Sequence, residues 1–283
     1  MAHYVDLHIA AKTDTGLVRS HNEDAVAFST LHGIAVVADG MGGYNAGEIA
    51  SGMAAVIFKE NLEEKLRAVK WGSQDTQYRL IRQWVMESVE HANATVFQSA
   101  SIEPEYSGMG TTLVASLFHH DQVIIAHVGD SRAYRLRAGE LVQLTRDHSV
   151  LQAQIDAGLI SAEQALFAPN RNLVTRALGV APALIVEINE YLAEAGDLYL
   201  LCSDGLTDMV THPVLTAAMR GGQHDLDIVC QSLIDLANQH GGRDNVSVVV
   251  VRLNAVRTDL HGVFGRVVRW IGDVLRRFTS RAE

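Results

Sequence analysis

Four times in this chain a short hydrophobic run meets a carboxylate at its end, and that recurrence narrows the folds open to it. Ile34–Ala38 runs into Asp39-Gly40, Val123–Val128 into Gly129-Asp130, and Leu198–Cys202 into Ser203-Asp204-Gly205, while Asp244-Asn245 opens the run Val246–Val251. Short β-branched-rich runs bounded by Gly and Asp read as buried strands with turns at their ends. Strands of one sheet bring their ends together, and acids gathered there repel one another unless a cation lies between them. A single Asp-Gly pair is a routine turn former. Four carboxylates at strand ends point instead to a metal site.

Around these runs the pattern predicts strands over Val5 to about Thr13, Ala25–Ser29 and Gly33–Ala38, then helices over Ala46 to about Val69 and Gln74–Ser99. The second helix places Leu80, Ile81, Trp84, Val85, Val89 and Val96 near one face. Strands follow over Thr111–Phe118, Gln122–Val128, Ser131–Arg137 and Leu141–Thr145. From Asp147 to about Ala177 the pattern weakens into short helices and loops. Strands Ala183–Tyr191 and Asp197–Cys202, helices His212–Gly221 and Asp225–His240, and a last strand Val246–Leu253 complete the set. Strands in groups, separated by helix pairs, are not βαβ alternation. They predict an α+β layered domain with mostly antiparallel sheets flanked by helices.

The bulk properties exclude several classes. A formal charge of -10 argues against a general nucleic-acid binder, which needs a basic face for phosphates. Cys202 and Cys230 are the only cysteines and lack the spacing of a zinc site or a disulfide framework. The N-terminus lacks a basic region followed by an apolar stretch, and no run reaches the ~18 apolar residues of a membrane span. The expectation is a cytoplasmic protein.

Carboxylate oxygens without cysteine favour a hard cation, Mg²⁺ or Mn²⁺, over zinc. Gly40, lacking a side chain, would let a backbone carbonyl approach such an ion. Arg19-Ser20-His21-Asn22-Glu23-Asp24 places an arginine beside two acids just before a strand. A guanidinium fork suits two phosphate oxygens. The plainer role for Arg19 is a surface ion pair with Glu23 or Asp24.

These residues also carry a family resemblance. R-S-H-N-E-D at 19–24, V-A-D-G-M-G-G-Y-N-A-G-E-I-A-S at 37–51, G-M-G-T-T at 108–112, H-V-G-D-S-R at 127–132, L-T-R-D-H-S at 144–149, S-D-G-L-T-D at 203–208 and G-G-R-D-N-V-S at 241–247 follow one another in order. The series resembles the metal-dependent protein phosphatases of the PPM (protein phosphatase 2C) family in their compact bacterial form, over about residues 5 to 254. The resemblance implies a four-layer αββα sandwich, a central β-sandwich flanked by helix pairs. It implies Mn²⁺ or Mg²⁺, two core ions and a weaker third. It implies hydrolysis of phosphoserine and phosphothreonine by a water bridging the core ions, in opposition to a bacterial Ser/Thr kinase.

Carried over position by position, Asp39 bridges the core ions, Gly40 offers its carbonyl, and Asp204 and Asp244 bind the other core ion. Glu23 acts through a water, Asp24 supports the ligands, Arg19 clamps the substrate phosphate, and Asp130 with Asp204 holds the third ion. Asn172 falls near a position that contacts that ion. Met41 stands where many eukaryotic members carry a proton-donating histidine, and Tyr44 and Ala168 replace histidines frequent in bacterial members; His21 is a nearby substitute donor. A phosphoprotein-binding pseudo-phosphatase is the alternative, although such proteins usually lose the metal carboxylates that this chain keeps.

The expected organisation is a catalytic domain over residues 1–255, with a flap at about 147–177, and a C-terminal tail over 256–283. In that tail Val263, Phe264, Val267, Val268, Ile271, Val274, Leu275 and Phe278 recur at helical spacing among Arg266, Arg269, Arg276 and Arg277. A basic amphipathic helix of this kind suits docking on a membrane surface or a partner, or packing on its own domain. The expected assembly is a monomer whose partners are phosphorylated proteins and a cognate kinase.

Overall fold

The computed structural model describes residues 5–42, 46–69, 74–161, 164, 173–221 and 225–255. Two antiparallel sheets lie face to face. One contains β1 (Asp6–Asp14), β11 (Val246–Ala255), β10 (Leu198–Cys202), β7 (Arg132–Arg137) and β8 (Glu140–Gln143), in that order. The other runs β2 (Asp24–Ser29), β3 (Ile34–Met41), β5 (Leu113–His119), β6 (Gln122–Val128) and β9 (Glu187–Leu192), with the two-residue β4 (Gly110–Thr111) beside the end of β3. Helices α1 (Ala46–Ala68) and α2 (Gln74–Ile102) cover the second sheet; α5 (His212–Gly221) and α6 (Leu226–Gln239) cover the first. This is the expected αββα sandwich.

Side-chain alternation explains why the central runs are apolar throughout. Along β3, Ile34, Val36 and Ala38 face Phe58 and Leu62 of α1 and Ile81 and Val85 of α2, while Ala35 and Val37 face the opposite sheet. Along β11, Val248 and Val250 pack under α5 and α6, and Val249 and Val251 point between the sheets. A strand buried on both faces loses the apolar–polar alternation of a one-sided sheet. Cys202 at the end of β10 and Cys230 on the inner face of α6 are both buried free thiols in the same core, in keeping with a packing role.

Three boundaries depart from the pattern. The run Thr111–Phe118 breaks at Thr112, because Gly110–Thr111 pairs with Gly40–Met41 while β5 pairs with Ile34–Val37. The strand predicted from Ala183 starts only at Glu187. The segment just before it is tied to α2, where Asn93 Oδ1 accepts from Gly179 N at 2.8 Å and Asn93 Nδ2 donates to Ala181 O at 3.0 Å. A four-residue helix, α4 (Asp204–Thr207), begins directly after β10. Within the weakly patterned stretch, α3 (Val150–Asp156) is capped by Ser149, whose side chain accepts from Gln152 N. Tyr44, Ala168, Asn172 and the tail 256–283 lie outside the described residues.

Candidate active site

The strand ends converge at one edge of the sandwich. On the β2–β3 ladder Asp24 stands directly opposite Asp39, a pairing of like charges that is unfavourable on its own. Thr112 fixes the end of β3 from the next strand: its Oγ1 accepts from Asp39 N at 3.1 Å and its N–H donates to Asp39 O at 2.8 Å. Asp130 follows β6 on a turn whose Gly129 has φ +102, and a Cβ there would lie 2.6 Å from Thr112 Cγ2. Asp204 opens α4, and Asp244 immediately precedes β11.

Seven of the nine residues singled out in the sequence line a single cavity of about 250 Å³: Arg19, Glu23, Asp39, Gly40, Asp130, Asp204 and Asp244. Asp24 is buried behind it, its Oδ2 accepting from Ser203 Oγ at 2.7 Å. Arg19 donates from Nη2 to Asp244 Oδ2 at 2.8 Å rather than pairing with Glu23 or Asp24, and its side chain stays half exposed. The surface pair expected with its sequence neighbours is replaced by one across the cavity. Gly40 has a further reason to be glycine. A Cβ at this position would meet Gly47 O at 2.1 Å and Glu23 O at 2.5 Å, so the close seating of α1 on the end of β3 excludes any side chain.

Sequence reasoning missed three contributors that its own motifs contained. Asn245 ties the Arg19–Glu23 loop to β11: its Oδ1 accepts from Glu23 N at 2.8 Å and its Nδ2 donates to Thr15 O at 2.9 Å and His21 O at 2.8 Å. Thr112 lines the cavity and bonds Ser131 Oγ at 2.7 Å. Asp208, four residues after Asp204, adds its negative charge to both Asp204 and Asp130. The spacing of Asp204 and Asp208 across one helical turn was the available signal.

The electrostatics are those of acids without enough bases. Burial first, then the charges of Asp24, Asp204, Asp130 and Asp244, push the Asp39 carboxyl well above its ordinary range. Burial and the charges of Asp130, Asp208, Asp244 and Asp24 do the same to Asp204. Burial raises Asp24 to about 6 against the opposing hydrogen bonds of Ser203 and Ser247. Asp130 is also raised to about 6, by burial and by Asp147.

Known proteins place this arrangement. The sequence model of the family described as protein phosphatase 2C matches residues 18–226. The chain belongs to the protein phosphatase 2C family. It is 35% identical over 254 residues to the serine/threonine phosphatase stp of Listeria innocua serovar 6a, covering 89% of this chain and 98% of that one. The Mycobacterium tuberculosis serine/threonine phosphatase PstP/Ppp superposes with a TM-score of 0.79 at 37% identity, over 88% of this chain and 99% of that chain. The catalytic domain of PstP in complex with two manganese ions superposes with a TM-score of 0.76 at 36% identity, again covering 88% and 99%. This protein phosphatase 2C is a protein-serine/threonine phosphatase, of a family that uses Mn²⁺ or Mg²⁺.

The donors of this phosphatase fit such ions. The cavity offers carboxylate and backbone oxygens, the hard ligands these cations take. Among the described residues its mutually repelling acids lack a compensating charge beyond Arg19, and the buried Asp24 Oδ1 has no hydrogen-bond partner. A second group with ligand atoms close together, His127, His148 and Glu187, does not fit. His148 Nδ1 accepts from Gly129 N at 3.2 Å, and its Nε2 lies 3.3 Å from Glu187 Oε2. Arg176 Nη1 lies 3.1 Å from that same nitrogen. The two imidazoles are stacked 4.6 Å apart at 11°, so their in-plane lone pairs run side by side instead of converging. The group buttresses the Gly129–Asp130 turn.

Proposed function

We propose that the acidic cavity hydrolyses phosphoserine and phosphothreonine esters of proteins, with Asp39, Gly40, Asp204 and Asp244 holding two core ions and Asp130 with Asp204 a third. The observation that carries this assignment is the gathering of four strand-end carboxylates, Glu23 and one arginine around one small cavity. When bound, the ions supply a water of lowered pKa and neutralise charge on the phosphoryl group. The protein's own residues do the positioning. Asp39 faces Asp204, Asp130 and Asp244 across the cavity, the placement a shared ligand requires. Glu23 is held at its rim by Asn245, and Asp24 and Ser203 brace the β3 and β10 ends from behind.

Arg19 reaches the cavity from a loop whose Leu17 and Val18 N–H groups both donate to Gly242 O. Only its Nη2 contact with Asp244 is needed to orient the guanidinium, and the rest of the planar fork is directed to phosphate oxygens. Met41 lines the cavity and offers no proton, so the leaving alkoxide draws its proton from solvent-derived water and not from this side chain. His21 is exposed and is not among the cavity residues.

The wider assignments extend this reading. Residues 1–255 form the catalytic domain, with a flap at about 147–177; Asn172, expected near the third ion, lies outside the described residues. The tail 256–283 docks on a membrane surface or partner, and the protein acts as a monomer against a cognate bacterial Ser/Thr kinase. No described helix is long and apolar enough to cross a membrane. Liposome co-sedimentation of the full chain tests the tail; absence of binding sinks the membrane role.

The deciding experiment is phosphate release from a phosphothreonine peptide. Turnover with Mn²⁺ that stops with EDTA and in Asp39→Asn is expected. Folded protein that binds phosphopeptides without turnover at saturating Mn²⁺ would overturn hydrolysis in favour of phosphoprotein binding.

A further inference from the structure

A second, wider groove of about 510 Å³ adjoins the phosphate cavity and shares Asp130 and Asp204 with it. One wall is α3, which has no buried residue. Leu151 and Ile155, four residues apart and therefore on one helical face, line the groove from this side. Met209, Val210 and Leu215, leading from α4 into α5, line the other side, with Tyr134 of β7 between them. The groove's one arginine, Arg132, is already held by Asp147, to which it donates at 2.9, 3.1 and 2.6 Å.

Resting on the phosphatase reading above, we propose that this groove receives an apolar side chain of the phosphoprotein, located within a few residues of the phosphorylated Ser or Thr. Continuity is the first argument. A polypeptide whose phosphate sits among Asp39, Asp204 and Asp244 advances ~3.3 Å per extended residue, and two or three residues carry it past the shared aspartates onto the groove. Chemistry is the second. The lining sets Leu151, Ile155 and Met209 among a larger number of polar side chains, and its volume falls in the ~300–1,000 Å³ range of ligand pockets. Leu151 and Ile155 are only partly buried and, among the described residues, packed into none of the three cores, so an incoming side chain adds apolar contact to them. Charge is the third. An acidic side chain entering here meets Asp147 and Asp208 and finds Arg132 already paired.

The test uses the full chain with Mn²⁺ and phosphothreonine peptides that carry Leu, Ala or Glu at each of the three positions on either side of the phosphothreonine. At one position Leu is expected to exceed Glu by about tenfold or more in kcat/KM, mostly through KM, the scale of burying one aliphatic side chain. Ile155→Lys removes this preference, while hydrolysis of p-nitrophenyl phosphate, too small to reach the groove, changes by less than about twofold. Leu151→Lys, on the same open face, gives the same result should Ile155→Lys fail to fold. Hydrolysis of every peptide at one rate by the unmutated protein would overturn the groove and leave the phosphatase reading standing. A preference that survives both variants would also overturn it. Variants that speed all peptides alike would make the groove the seat of a segment of this chain, and so overturn it too. Failure to hydrolyse either p-nitrophenyl phosphate or any peptide would fell the phosphatase reading itself.

Discussion

Strand β10 carries an aspartate at each end, Asp197 just before it and Asp204 just after it, and the two sit in opposite surroundings. Six residues lie between them, and the seven steps of extended chain set them ~23 Å apart. Asp197 accepts from Arg137 Nε at 2.7 Å and Nη2 at 2.6 Å, from Glu194 N at 2.9 Å and from Tyr199 Oη at 3.0 Å. Against the upward pull of burial, these partners hold its carboxyl below the ordinary range. Asp204 faces Asp130, Asp208, Asp244 and Asp24, and is pushed well above that range. One end of the strand is built to satisfy a charge and the other to leave charge unsatisfied. The first serves stability; the second is the signature of a site completed by something outside the chain.

The largest test of that contrast makes the same change at both ends. Asp204→Asn is expected to lower Mn²⁺-dependent kcat/KM toward a phosphothreonine peptide by about 10³-fold or more, since it removes a charged metal donor. Asp197→Asn should leave kcat/KM within a few-fold on protein that remains folded. Steady-state kinetics at saturating Mn²⁺ separates the two outcomes, and equal losses would erase the distinction.

The next effect is on stability. Asp197→Asn leaves Arg137 its pair with Glu194 but removes the two-pronged one with a buried carboxylate, at a cost of about 1–3 kcal/mol. Urea unfolding in EDTA measures it as a fall in midpoint with an unchanged slope. The sign with pH follows from the lowered pKa. The Asp197 contribution is complete above the unfolded carboxylate range near ~3.9 and is lost as pH falls through the depressed folded value. The wild-type advantage over Asp197→Asn should therefore shrink only in strong acid.

How much of this could be read in the chain divides along the same line. Asp39, Asp130, Asp204 and Asp244 were legible because each ends or opens an apolar run, and the strand ends of a sandwich meet at its edge. The helices α1, α2, α5 and α6 were legible from their periodicity. Register between distant strands was not. Nothing local places Asp24 opposite Asp39, ties Asp244 to Arg19 across 225 positions, or sets Asn245 against the Glu23 amide. The requirement for glycine at 40 was foreseen for access to an ion, whereas its tightest contact is the Gly47 carbonyl of a helix that follows it. The break at Thr112 was hidden because both flanking segments are apolar and β-forming, and only their different partners separate them. Periodicity reports burial; it does not report which neighbour does the burying.

A third, smaller effect concerns the one arginine of the cavity. Arg19→Lys keeps the positive charge but loses the planar fork, so it should lower kcat/KM by about 10–100-fold while leaving Mn²⁺ affinity within a few-fold. Titration of Mn²⁺ by its effect on Tm, alongside kinetics, checks both parts. A loss of Mn²⁺ affinity equal to the loss of activity would show that Arg19 acts by holding Asp244 and not by meeting phosphate.

The smallest effect has the opposite sign to intuition and probes the unsatisfied end of β10 directly. In metal-free protein the raised pKa of Asp204 means that the folded state binds its proton more tightly than the unfolded state does. Stability therefore falls as pH rises from the ordinary carboxylate range toward the raised folded value, so the penalty is already present at pH 8. Asparagine imitates the protonated form and removes it. Asp204→Asn, inactive in the first experiment, should raise the Tm of EDTA-treated protein at pH 8 by a few degrees, the shift of about 1 kcal/mol in a domain of this size. Saturating Mn²⁺ should reverse the order, because binding stabilises the wild type by mass action and the variant has lost a donor. A variant less stable than wild type in EDTA would mean that Asp204 is satisfied within the chain, as Asp197 is, and that the two ends of the strand differ less than their neighbours indicate.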